Sequence, residues 1–309
     1  MSKRQDATLA ARTLAWLIMI LVLLALNACR PTTPLIPTPT SDRTSTEESK
    51  HLTLTPAQTR ASQPTPTQPA TTATSDCLSA GGELTSAHFY SEQLENDLYF
   101  HIYLPPCYNS ASNQRFPVVY LLHGLSYTND QWPRLKLVNT MDSLIAQREI
   151  APFIIIMPLE AIFAPPQTSH FGDALILDLI PWVDDHYKTL PEKTYRGIGG
   201  VSRGAAWAVH LGFEHYDLFA SVGAHSLPLF EADGGHLTAW MTQPPLEELP
   251  RFFIDIGRND QEWKTTQTFA DLLDENNIPH EWYLFNNGHT EVYWTNHLDQ
   301  YLHWYAQNW

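Results

Sequence analysis

Ser202 stands in Gly200-Val201-Ser202-Arg203-Gly204, a Gly-x-Ser-x-Gly pentapeptide between a short apolar run and an Ala-rich stretch. A serine hydroxyl attacks a carbonyl only if it stands clear of the backbone and a base takes its proton. A sharp strand-to-helix turn meets the first need by lifting Oγ above the sheet edge. Such a turn brings neighbouring backbone so close that a Cβ on residue 200 or 204 would collide, hence Gly200 and Gly204. The helix that follows aims its partly positive N-terminus at a developing oxyanion.

The base and the acid that orients it must come from elsewhere in the chain. With 14 histidines available, residue type decides nothing and position decides. His289 lies in Asn286-Asn287-Gly288-His289, after a strand ending at Phe285 and before the last helix. Asp260 lies in Gly257-Arg258-Asn259-Asp260, after a strand ending at Ile256. Both are at carboxyl ends of strands, where open α/β sheets carry their sites. Their order, Ser202, Asp260, His289, is the order α/β-hydrolases use. Asp255 is the competing acid but falls inside its strand, and Asp217 and Asp233 follow other elements. The backbone N–H groups of Arg203 and Leu125 are placed to hold the oxyanion, which makes their side chains secondary. His123 then belongs to the oxyanion loop and not to the proton transfer. Trp132, His225 and Trp294 are candidates to line a substrate pocket, although tryptophans and strand-end histidines also serve as core packing. No Cys or His cluster has zinc-site spacing.

The elements that must position these residues alternate in type. Leu84 to Ser91 and Leu98 to Leu104 read as an antiparallel hairpin turning at Glu95-Asn96-Asp97. Strands follow at Phe116 to Leu122, Phe153 to Met157, the run before Ser202, Phe219 to Ala224, Arg251 to Ile256 and Glu281 to Phe285. Helices are expected at Leu135 to Gln147, Asp173 to Tyr187, after Ser202, Gln261 to Asn276 and Glu291 to Trp309, with an irregular insertion from Leu227 to Pro250. This pattern predicts an α/β fold, a mostly parallel sheet with helices on both faces and an antiparallel N-terminal hairpin.

The folded domain is expected over residues 76–309. Before it, Lys3, Arg4 and Arg12 precede an apolar run from Leu14 to Leu26 that is short for a spanning helix, the pattern of an export signal over residues 1–28. Leu26-Asn27-Ala28-Cys29 resembles the lipobox of bacterial lipoproteins, which makes Cys29 the expected lipidation site and membrane anchor. Residues 29–75, rich in Pro, Thr, Ser and Gln, bury too little to offset ordering entropy and read as a tether. An exported domain retains disulfides, so Cys77 and Cys107 are expected to bridge. A net charge of −15, from 18 basic and 33 acidic residues, argues against nucleic acid as a partner.

Together, Leu121-Leu-His-Gly124, Leu179-Ile-Pro-Trp-Val-Asp-Asp-His-Tyr187, Gly199-Gly-Val-Ser-Arg-Gly204, Phe219-Ala-Ser-Val-Gly223, Asp255-Ile-Gly-Arg-Asn-Asp260 and Gly288-His289 with Trp294 resemble the putative-esterase family of α/β-hydrolases. That family contains enterochelin esterases, feruloyl esterases, S-formylglutathione hydrolases and mycolyltransferases. The resemblance covers about residues 98 to 305 and implies an α/β-hydrolase fold, with Ser202 as nucleophile, Asp260 as acid and His289 as base. It implies no metal or organic cofactor. Ala205 departs from the second glycine that members often carry after the elbow. The leading expectation is a serine carboxylesterase acting on a small-molecule or carbohydrate ester, a siderophore or a feruloyl or acetyl carbohydrate ester among them. Two readings compete: an acyltransferase of the mycolyltransferase type, and a binding protein that keeps the fold without the chemistry.

Overall fold

Eight strands form one sheet in the order β1-β2-β4-β3-β5-β6-β7-β8. They are β1 (Glu83–Ser91), β2 (Asn96–Leu104), β3 (Val118–Leu122), β4 (Ile154–Pro158), β5 (Arg196–Val201), β6 (Ser221–His225), β7 (Arg251–Gly257) and β8 (His280–Phe285). The computed structural model describes residues 77–109, 113–307 and 309. The export signal, Cys29 and the tether expected over 29–75 lie outside the described residues.

β1 and β2 pair antiparallel, β2 pairs antiparallel with β4, and every pair from β4 to β8 is parallel. The parallel strands β3, β4, β5 and β6 are buried along their whole length, because helices cover both faces. Alternate residues feed two separate cores. Val118, Tyr120, Leu122, Ile198 and Ile254 point into one, against α2 (Ile180–His186), α3 (Arg203–Glu214) and α5 (Trp263–Glu275). Val119, Leu121, Ile155, Val201 and Phe253 point into the other, against α1 (Leu137–Ala146) and α6 (Glu291–Ala306).

The expected elements are present, with differences that have local causes. Asn96 and Asp97 lie within β2 and not in the turn, which Glu95 closes with a φ of 49°. The helix expected from Asp173 opens into π turns over Ala174–Leu179, just ahead of Pro181, whose missing N–H cannot extend the ladder. The insertion expected to be irregular contains α4 (Leu237–Thr242) and 3₁₀ turns at Glu231–Gly235 and Leu246–Glu248. Cys77 and Cys107 form a disulfide that ties the start of the described chain to the segment after β2. No helix among the described residues is long and apolar enough to cross a membrane.

Candidate active site

Ser202 joins β5 to α3 with φ 54° and ψ −123°, a conformation that L residues adopt only when their surroundings enforce it. The enforcement comes from packing. A Cβ on Gly200 would lie 2.8 Å from the Gly204 Cα, and one on Gly204 would lie 2.6 Å from the Leu122 carbonyl carbon. The Ser202 N–H donates to the His225 carbonyl at 2.9 Å, which fixes the elbow to the end of β6. Ser202 faces a cleft of about 250 Å³ that Leu125, Phe230 and Gln261 also line.

At the ends of β7 and β8 two loops cross. A Cβ on Gly257 would lie 2.7 Å from the Asn287 carbonyl carbon, and the Asn259 N–H donates to the Asn287 carbonyl at 3.0 Å. That crossing brings Asp260 and His289 together. His289 Nδ1 lies 3.0 Å from each carboxylate oxygen of Asp260, whose side chain is fully buried while that of His289 is 22% exposed. Burial pushes the Asp260 carboxyl up, but hydrogen bonds from His289, the Glu262 N–H and Ser226, with the attraction of His289, outweigh it and hold the group below the usual carboxylate value. Thr290 caps α6 by accepting from the Tyr293 N–H, so the His289 loop ends on a fixed helix start. Among the described hydrogen bonds none joins His289 to Ser202.

The third part is the loop after β3. His123 is buried with both ring nitrogens engaged: Nε2 accepts from the Glu160 N–H at 2.9 Å, and Nδ1 donates to the Gly124 carbonyl at 2.9 Å. Burial lowers its pKa against the opposing pull of the Gly124 carbonyl and Glu160. It is therefore a neutral brace for the loop, with no nitrogen free to act as base. Buried Gln131 accepts from the Gly124 N–H at 2.8 Å. The N–H of Leu125 has no protein partner among the described hydrogen bonds, and that of Arg203 is an open donor at a helix start.

The chain matches the family model described as "Putative esterase" over residues 91–305. It belongs to this esterase family. An endo-1,4-beta-xylanase/feruloyl esterase of Xylanibacter ruminicola is 31% identical over 134 residues, 40% of this chain and 18% of that protein. An esterase of Mycobacterium tuberculosis is 28% identical over 149 residues, 45% of this chain and 31% of that protein. The matched stretch thus spans less than a third of either relative. Among solved structures, a ferulic acid esterase superposes with a TM-score of 0.67 at 21% identity, covering 74% of this chain and 99% of that one. An S-formylglutathione hydrolase of Staphylococcus aureus gives 0.62 at 17%, covering 73% and 98%. These likenesses show the α/β-hydrolase fold.

Other expected site residues of this esterase-family chain stand elsewhere. Trp132, His225 and Trp294, expected to line a pocket, are 1%, 0% and 2% exposed and belong to the core. Trp132 Nε1 donates to the Leu122 carbonyl, Trp294 Nε1 donates to Ser226 Oγ, and His225 Nδ1 lies 2.6 Å from Asp255, while the buried His225 Nε2 has no hydrogen-bond partner in the protein. Asp255 also accepts from Tyr293 and Tyr301, which takes it out of the competition for His289. Trp294 still serves the site, its ring edge-on to His289 at 5.1 Å.

The Arg203 side chain, expected to be secondary, is the centre of a buried cluster. Its Nε and Nη2 donate to the two oxygens of Glu160 at 2.7 and 2.5 Å, and Trp207 Nε1 donates to the same carboxylate at 3.0 Å. Phe163 and Phe230 lie 5.6 and 5.2 Å from the guanidinium. Arg203, Phe163 and Phe230, with Leu125 and Pro165, line a groove of about 570 Å³ that shares Leu125, Arg203 and Phe230 with the Ser202 cleft. Glu160 and Arg203 are 43 positions apart, and no local pattern announces the pair.

Proposed function

We propose that this chain is a serine carboxylesterase for an ester with an aromatic or similarly flat apolar acyl group. The observation that carries the reading is the enforced backbone at Ser202, set beside a His289–Asp260 pair on the same sheet edge. Ser202 Oγ attacks the ester carbonyl while His289 Nε2 takes its proton. Asp260 holds the Nδ1–H tautomer and stabilises the imidazolium that forms. The Leu125 and Arg203 N–H groups meet the tetrahedral oxyanion. His289 then protonates the departing alkoxide, and water attacks the resulting acyl-enzyme by the same steps in reverse. The Ser202 to His289 contact closes when substrate fills the cleft, as such contacts do in other hydrolases.

The apolar groove beside the cleft supports the acyl preference, and the feruloyl and ferulic acid esterases among the similar proteins agree with it. The test is turnover of methyl ferulate and methyl acetate by the full-length protein. Faster turnover of ferulate, and a fall of about a million-fold in kcat in Ser202→Ala, are expected. Full activity in Ser202→Ala overturns the mechanism, and a preference for acetate overturns the substrate class. Release of acid undiminished by added alcohols distinguishes hydrolysis from acyl transfer.

We also propose that the chain is exported and held to a membrane through lipid on Cys29; the Cys77–Cys107 disulfide supports an oxidising destination. Fatty-acid label incorporated by the native chain and absent from Cys29→Ala is the expected result. Equal label in both contradicts the anchor.

A further inference from the structure

Ser226 follows β6 as Ser202 follows β5, and the pairing of Val201 with His225 sets the two serines level across neighbouring strands. Ser226 has a φ of 55° against 54° at Ser202, and it is wholly buried. A residue with a side chain holds that conformation only where its surroundings impose it. Here the bonds on either side do so. The Ser226 N–H donates to the Asp255 carbonyl at 2.9 Å, and the His225 carbonyl just before it accepts from the Ser202 N–H at 2.9 Å. The Leu227 carbonyl just after it accepts from Thr266 Oγ1 of α5, also at 2.9 Å. Burial rules the Ser226 hydroxyl out as a second nucleophile and leaves it only its internal hydrogen bonds.

Those bonds reach both partners of Ser202. An indole N–H only donates, so Oγ is the acceptor for Trp294 Nε1 at 3.1 Å. The single hydroxyl proton is directed to Asp260, where it is one of the hydrogen bonds that hold that carboxyl below its usual value. Asp260 Oδ1 also accepts from the Glu262 N–H at 2.9 Å, and both oxygens lie 3.0 Å from His289 Nδ1. Donors from three segments of the chain fix the carboxylate, and with it the direction in which His289 is held. Trp294, oriented by Ser226, sets its ring edge-on to His289 at 5.1 Å, with 81° between the ring planes. We propose that Ser226 is a positioning residue for the Asp260–His289 pair, its hydroxyl orienting the carboxylate directly and the imidazole through Trp294. The kinetic consequence of this role rests on the esterase reading of the site; its effect on the His289 Nδ1 proton does not.

Ser226→Ala frees the Asp260 carboxylate to turn and also orphans the buried Trp294 N–H. Trp294→Phe separates the two effects, because it keeps the Ser226 hydroxyl on Asp260. Ser226→Ala/Trp294→Phe removes donor and acceptor together, so no N–H is left unpaired if the single variant fails to fold. The control is Ser221→Ala, at the opposite end of β6, where the buried Oγ has no partner.

The experiment measures kcat and KM for 4-nitrophenyl acetate on the full-length protein, beside the low-field proton NMR signal of His289 Nδ1–H, assigned by its loss in His289→Gln. In Ser226→Ala kcat is expected to fall roughly ten- to a hundredfold, the range for losing one hydrogen bond to a charged group. KM stays within about twofold, because no contact to substrate is lost. The double variant falls below Trp294→Phe by a similar factor, the Nδ1 signal moves in both variants that lack the hydroxyl, and Ser221→Ala matches the native protein in every readout. Native kcat with an unmoved signal in Ser226→Ala overturns the role, as does a rise in KM at constant kcat, or a double variant that matches Trp294→Phe. A native protein without esterase activity fails the esterase reading alone, and the Nδ1 signal then decides the role of Ser226: movement supports it, and an unmoved signal overturns it.

Discussion

Replacing Gly204 by alanine probes the elbow where the structure leaves it least room. The added Cβ would lie 2.6 Å from the Leu122 carbonyl carbon and 2.8 Å from the His123 carbonyl oxygen, closer than van der Waals contact. Both are backbone atoms at the end of β3, which is held between β4 and β5, so neither can swing aside as a side chain would. Ordinary contact is restored only if α3 backs away by on the order of 1 Å. Overpacking of this kind destabilises by roughly 1–3 kcal/mol. Alanine's higher helix propensity offsets up to about 1 kcal/mol of that. The melting temperature therefore falls by only a few degrees, and activity is the sharper readout. The same displacement carries the Arg203 N–H and Ser202 away from the oxyanion loop, and a misplacement of this size lowers turnover about a hundredfold. The assay is kcat for an aryl ester beside a circular-dichroism melt, with Gly234→Ala as control, because nothing lies within 4 Å of a Cβ there. Native kcat in Gly204→Ala would refute the close approach on which the elbow argument rests.

Asp260→Asn leaves the fold intact but offers His289 Nδ1 an amide donor, which moves the imidazole proton to Nε2 and away from its task. The expected loss is about ten-thousandfold in kcat by the same ester assay, and a loss under tenfold contradicts the role of Asp260. Glu160→Gln takes the charge partner from Arg203, which is 14% exposed and keeps the Ala164 carbonyl. A loss of roughly 3 kcal/mol, the low end for breaking a buried pair, is expected from urea unfolding, with KM for aromatic esters rising as the groove wall loosens. Stability also falls with acid in two stages. His123 and Asp260 both titrate below their ordinary values in the fold, so the unfolded chain takes up each proton first. The contribution of neutral His123 is complete above its unfolded pKa of about 6.5 and lost as pH falls towards its lower folded value; that of Asp260 is complete above about 3.9 and lost below. A urea midpoint that stays level from pH 8 to pH 3 contradicts both.

Much of the site was legible because its residues answer to backbone demands that leave a mark in sequence. Gly200 and Gly204 are needed where segments nearly touch, and Gly257 is needed where the Asp260 and His289 loops cross. Asp260 and His289 could be placed from strand ends alone, since a parallel sheet sends all those ends to one edge. The pocket was not legible in this way. Trp132, His225 and Trp294 look alike in sequence whether they face a ligand or a core, and here each finds an internal hydrogen-bond partner that makes burial tolerable. The Arg203–Glu160 pair and the His210–Asp233 pair join residues 43 and 23 positions apart through tertiary packing, which leaves no periodic signature.

Reaction with a fluorophosphonate probe reports whether Ser202 is an activated nucleophile. The native full-length protein should be labelled covalently, with the adduct on Ser202, while folded Ser202→Ala stays unlabelled. Failure of the folded native protein to react, or equal labelling of the variant, would contradict the account.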